Sequence, residues 1–102
     1  MGRNDGVIMN IPETIKIGAY DYKMIEEDKL KLDGKDVWGY CDREQNKIYM
    51  QKGMKSKKEK EVFLHECLHA IEESYGISLG ERKVNILGLA LMALISDNKL
   101  RF

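Results

Sequence analysis

Polar and apolar residues alternate along "TIKIGAYDYKMI", which places Ile15, Ile17 and Ala19 on one face of an extended chain. That period of two is the signature of a half-buried strand. The next stretch, "EEDKLKLDGKD", is charged and broken by Asp33-Gly34, and reads as a connecting turn. "VWGYCDREQNKIYM" then holds two β-rich runs around the polar "DREQNK", the pattern of a hairpin. From Ser56 the period lengthens. "SKKE" matches the capping box S-x-x-E, Val62, Leu64, Leu68 and Ile71 supply the apolar positions of a helix, and Gly76 is a natural C-terminal stop. A second box, "SLGE" at 78–81, opens a last helix that contains the apolar run Ile86 to Ile95 and reads as buried. Strands first and helices second predict an α+β fold: an antiparallel sheet of about three strands with two helices on one side. Residues 1–13 read as a flexible tail and 14–102 as one domain, without internal repeats.

Size and charge narrow the functional classes. A chain of 102 residues builds a modest core but no chamber between two lobes, so an active site is expected to be an open groove. The 17 basic and 17 acidic residues cancel, leaving no global field to hold nucleic acid or an anionic membrane. The lysines at 52, 55, 57, 58 and 60 are interrupted by Glu59 and Glu61 and read as a solvated face. The apolar run Ile86 to Ile95 is about half of the roughly 20 residues that span a bilayer. "MGRNDGVIMN" resembles neither a secretory leader nor, with Gly at position 6, a myristoylation signal. Together with only two cysteines, Cys41 and Cys67, read as small hydrophobes, this points to a reducing, cytoplasmic setting.

The chemistry concentrates in "HECLHAIEESYGISLGERKVN". His65 and His69 are four residues apart and project from one face of a helix, so two imidazole nitrogens can meet one ion. Glu66 is rotated by about 100° from His65, which sets its carboxylate beside an ion rather than on it. There it can take a proton from an activated water, the mechanical content of H-E-x-x-H. An open catalytic zinc takes three protein ligands, and no third histidine exists. Glu81 is the candidate. The Gly76 turn reverses the chain, and Glu81, Asn85, Gly88 and Met92 form one stripe of the next helix, with Gly88 allowing a close pass to the metal-bearing helix. Asn85 is then placed to hydrogen-bond a ligand from outside. Glu81 is also the last residue of the "SLGE" box, where a cap alone would leave it facing solvent. Glu72 and Glu73 compete for the ligand position, but their places on the helix turn them away from the histidine face or too far along it. Cys67, nearly opposite His65, reads as core.

"HECLH" followed by "GERKVN" resembles the gluzincin metallopeptidases, in which H-E-x-x-H is followed by a glutamate ligand with Asp or Asn four positions later. The chain is more closely similar to the small ImmA/IrrE-type metallopeptidases, including short phage and prophage forms, through "IKIGAYDYKMI", "GYCDREQNKIYMQKGM", "FLHECLHAIEESYGISLGERKVNIL" and "SDNKLRF". The likeness runs from Thr14 onward. It implies a minimal zincin fold, one zinc per chain held by His65, His69 and Glu81, and Glu66 as general base. It also implies a peptide or protein substrate, with family roles in phage or stress regulation that include cutting a repressor. Larger gluzincins add a histidine or tyrosine that steadies the oxyanion. This chain has no spare histidine, which leaves Tyr40, Tyr49 and Tyr75 as hydroxyl donors, with Tyr75 turned away from the metal face. An extended substrate is expected to pair with an exposed strand, "VWGYC" or "KIYMQ". The alternative from another class is a zinc-stabilised regulatory or binding module with no proteolytic activity of its own.

Overall fold

A computed structural model describes residues 11–100; most of the proposed 1–13 tail lies outside them. Two strands, β1 (Thr14–Ile17) and β2 (Tyr20–Glu27), form a hairpin where one strand was expected. The chain turns at Gly18, whose φ of +62° suits glycine and whose Cβ position lies 2.6 Å from Ser74 Cβ. Ala19 belongs to that turn, not to a continuing strand.

The "LKLDGKD" segment forms a miniature hairpin of β3 (Lys31–Leu32) and β4 (Lys35–Asp36). Asp33 and Gly34 both have positive φ, 52° and 77°, as a two-residue hairpin turn requires. The expected second hairpin is present as β5 (Gly39–Asp42) and β6 (Lys47–Gln51). The main sheet therefore has four strands, in the order β1-β2-β6-β5, and it is mixed because β2 and β6 run parallel. Alternation along a strand fixes which face is buried but not the direction of its neighbour. In β6, Ile48 and Met50 turn inward at period two.

α1 (Ser56–Tyr75) lies across one face of this sheet, and α2 (Glu81–Asp97) packs on the outer side of α1. The core joins Ile17, Tyr22, Ile48 and Met50 of the sheet to Val62, Phe63, Cys67 and Ala70 of α1. α1 ends as expected: Gly76 adopts the left-handed conformation, and the N–H groups of Gly76 and Ile77 both donate to the Glu72 carbonyl.

Neither capping box forms. The N-cap of α1 is Lys55, and the Ser56 hydroxyl instead accepts a bond from buried Lys60 at 2.7 Å. That bond also takes Lys60 out of the solvated lysine face. The N-cap of α2 is Gly80, which makes Glu81 the first helical residue rather than the third. The reading of Ile86 to Ile95 as buried also fails on one side. Gly88, Met92 and Ile95 are buried against α1, whereas Ile86, Leu89 and Leu94 stay about half exposed. α2 is an outer layer, and among the described residues no further element covers its other side. No described helix is long and apolar enough to cross a membrane.

Candidate metal centre

His65 and His69 project from α1 toward the start of α2, where Glu81 meets them. One carboxylate oxygen, Glu81 Oε1, is 3.2 Å from His65 Nε2 and 2.8 Å from His69 Nε2. The ligating atoms of the three residues all lie within 4.8 Å of one another. The sequence-derived triad thus converges, and Glu81 turns inward toward the histidines rather than serving as a cap. Two imidazole nitrogens and one carboxylate form the donor set that suits zinc with a position left open. Gly88 lies over the His65 backbone, as the stripe required, although a Cβ there would make only ordinary contact at 3.7 Å.

Glu72 holds the arrangement together, and the expectation that it turns away is wrong. Its Oε1 is 2.8 Å from His69 Nδ1, and its Oε2 accepts the backbone N–H of Leu79 at 2.6 Å and of Gly80 at 3.3 Å. One nearly buried side chain therefore grips both the second histidine and the loop that delivers Glu81. A proton on Nδ1 shared with Glu72 leaves Nε2 as the ligating nitrogen. The spacing of three between His69 and Glu72 was the available signal, since i and i+3 are neighbours on a helix. Asn85, the expected outer partner, makes no hydrogen bond to either histidine among the described residues; it lines the groove beside His65. Glu73 points instead toward Arg43, at 4.0 Å. Glu72→Ala is expected to weaken zinc binding by about 10–100-fold, the usual effect of losing an outer-shell partner, as read by competition with a chromophoric chelator.

Glu66 sits at the junction of α1 with β5 and lines both pockets beside His65. Only 7% of it is exposed. Burial, with a smaller contribution from Glu81, pushes its pKa up to about 7 against the opposing charge of His69. Gly39 permits this closeness: a Cβ there would come within 2.7 Å of Val62 and 2.9 Å of the Tyr49 carbonyl, and 3.5 Å from Glu66 Cγ. The structure thus holds a buried carboxyl with a raised pKa beside the histidine pair without placing it in the triad.

His69 gives the site a pH dependence. Burial of the ring disfavours its charged form, but the hydrogen bonds to Glu72 and Glu81 outweigh this and raise its pKa in the metal-free protein. Protons compete with metal for the same nitrogen. Zinc retention in dialysis at stepped pH is therefore expected to begin failing above the pH at which an ordinary histidine, with a pKa of about 6.5, would release it. A pH profile of retention that is the same in His69→Ala as in the wild type would remove His69 from the ligand set.

The triad opens onto a groove rather than a chamber. Two adjoining pockets of about 540 and 300 Å³ share Gly39, His65 and Glu66. The larger is lined by Trp38, Val62, Asn85 and Leu89, and the smaller by Leu32, Tyr40, Arg43 and Glu81. β5 is the edge of the main sheet and forms one wall, whereas β6 ("KIYMQ") is internal and has no free edge. Of the three tyrosines, Tyr40 lines the metal-side pocket, stacked on Tyr49 with ring centroids 4.5 Å apart. Tyr75 lines an apolar pocket between α1 and β1, away from the triad. Cys41 and Cys67 are free thiols, and burial pushes the pKa of each up to about 12. That makes them inert fillers.

No protein-family model, no curated protein and no solved structure matches this chain.

Proposed function

We propose that this chain is a zinc-dependent metallopeptidase of minimal zincin type, in which His65, His69 and Glu81 hold one zinc ion and Glu66 is the general base. The observation that carries the reading is the convergence of His65 Nε2, His69 Nε2 and a Glu81 oxygen within 4.8 Å, beside a buried carboxyl and at the floor of an open groove. A zinc ion in such a site supplies a Lewis acid that acidifies water toward a pKa of about 7 and polarises a carbonyl. Glu66, beside His65 in both pockets, would accept a proton from the attacking water at its carboxylate and return it to the leaving amine. The free edge of β5 is suited to pair with an extended peptide, which would lay its backbone along the groove. Tyr40 is the hydroxyl nearest to this role of steadying an oxyanion, since it lines the same pocket as the ligands. The resemblance to ImmA/IrrE-type proteins suggests a regulatory protein as substrate, in phage or stress control.

One observation favours a second reading. No tyrosine hydroxyl makes a hydrogen bond to the triad among the described residues, and a zinc-stabilised binding module that cuts nothing alone fits the same ligands. Elemental analysis of protein purified without added metal is the first test of the shared part. About one zinc per chain is expected, falling toward zero in His65→Ala and His69→Ala; full zinc in both variants would remove the proposed centre.

A further inference from the structure

The outer face of α2 is a second feature, which meets the groove of the metal centre only at Leu89. At 17 residues the helix is roughly 25 Å long. The side opposite α1 carries Ile86, Leu89, Ala90, Ala93 and Leu94, all exposed. Ile86 is 50% exposed, Leu89 48% and Leu94 51%. Exposed apolar side chains grouped on one face of a helix, rather than scattered singly, are the pattern of an interaction site.

We infer that this face pairs two copies of the chain, helix to helix and antiparallel, about a two-fold axis passing between Leu89 and Ala90. Size and charge agree on one register. With the axis there, Leu89 of each copy faces Ala90 of the other, and Ile86 faces Ala93. Bulky side chains thus meet the gaps over alanines, as interdigitated helices require. The same register sets Arg82 against Asp97 at both ends of the seam. Both residues are exposed, and neither makes an ion pair within the chain among the described residues. A parallel pairing would set Arg82 against Arg82 and Asp97 against Asp97. The contact is isologous, so it closes at two copies and leaves no sticky end. Glu81 and Gly88 lie on a different side of the helix, so the metal triad stays open, whereas Asn85 and Leu89, which line the larger pocket, stand where the groove meets the seam, with Asn85 facing Leu94 of the other copy.

Analytical ultracentrifugation of the zinc-loaded chain over a range of concentrations tests this. The expected result is a reversible, concentration-dependent shift toward roughly twice 11.8 kDa. Ile86→Glu, and Ala90→Arg as an independent variant, should be monomeric at every concentration while keeping wild-type circular dichroism and zinc content. Arg82→Asp should weaken pairing at least about tenfold by setting like charges together, and adding Asp97→Arg should restore it. A wild-type monomer throughout would overturn the proposal and leave the face to a different partner. A dimer indifferent to both Ile86→Glu and Ala90→Arg would overturn it too, and failure of the charge swap to rescue would overturn the antiparallel register.

Discussion

Glu81→Ala is expected to lose zinc and to melt far below the wild type, while Ser78→Ala keeps its zinc and melts almost unchanged. A cap and a ligand make opposite demands on these two residues. If "SLGE" were a working capping box, both variants would lose similar stability, ~1 kcal/mol or less. The α2 N-cap is Gly80 without a side-chain bond, and Ser78 is exposed, so Ser78 has little to lose. Glu81 by contrast closes the triad on both histidines. Even a 100-fold weaker zinc affinity, at zinc well above the wild-type dissociation constant, removes about 2.7 kcal/mol of linked stability. In a domain of this size that is roughly 10–20 °C of melting temperature. Chelator supplies the control: it should bring wild type and Ser78→Ala down to the level of Glu81→Ala, and barely move Glu81→Ala itself. Full zinc in Glu81→Ala would shift the search for the third ligand to Glu72, whose carboxylate already touches His69.

How much of this arrangement can be read along the chain depends on whether a residue has one physical use or several. His65, Glu66 and His69 are placed by helical spacing alone, and Gly76 by its freedom to take positive φ; the structure puts the three on α1, turns both histidines toward Glu81 and ends the helix at Gly76. The α+β class and the β5-β6 hairpin were equally legible, because alternation and turn residues are local signals. Glu81 was ambiguous, since the same carboxylate suits a cap or a cation, and only the fold decides between them. Glu72 was misread for a related reason. Its spacing to His69 is visible, but its grip on the Leu79 and Gly80 amides depends on the path of the chain after Gly76. The parallel β2-β6 pair and the exposed side of α2 lay further out of reach. Both follow from what packs against what, and hydrophobic period gives no partner. A run that looks buried because it is apolar is buried only where another element covers it.

Glu66→Gln separates the enzyme from the binding module, and its effect is expected both in activity and in stability. If Glu66 carries the proton, the variant keeps zinc and fold but cuts any substrate found by screening at least about 100-fold more slowly, within the range for loss of a general base. Equal cleavage by both proteins would mean a contaminant or another base, and no cleavage by the wild type on broad protein substrates would favour the module. The metal-free protein offers a readout that needs no substrate. Burial raises the Glu66 pKa from 4.5 to about 7, so between those values the native state binds a proton that the unfolded chain has released. Stability then falls as pH rises through that window, by roughly 3 kcal/mol at most. Glutamine cannot ionise and removes this cost. In chelator, Glu66→Gln should therefore melt above the wild type at pH ~8, and the gap should close by pH ~5. A gap that does not change with pH would mean that the carboxyl at position 66 is solvated in solution, and with that the case for a carboxyl tuned by burial to exchange protons near neutrality would fall.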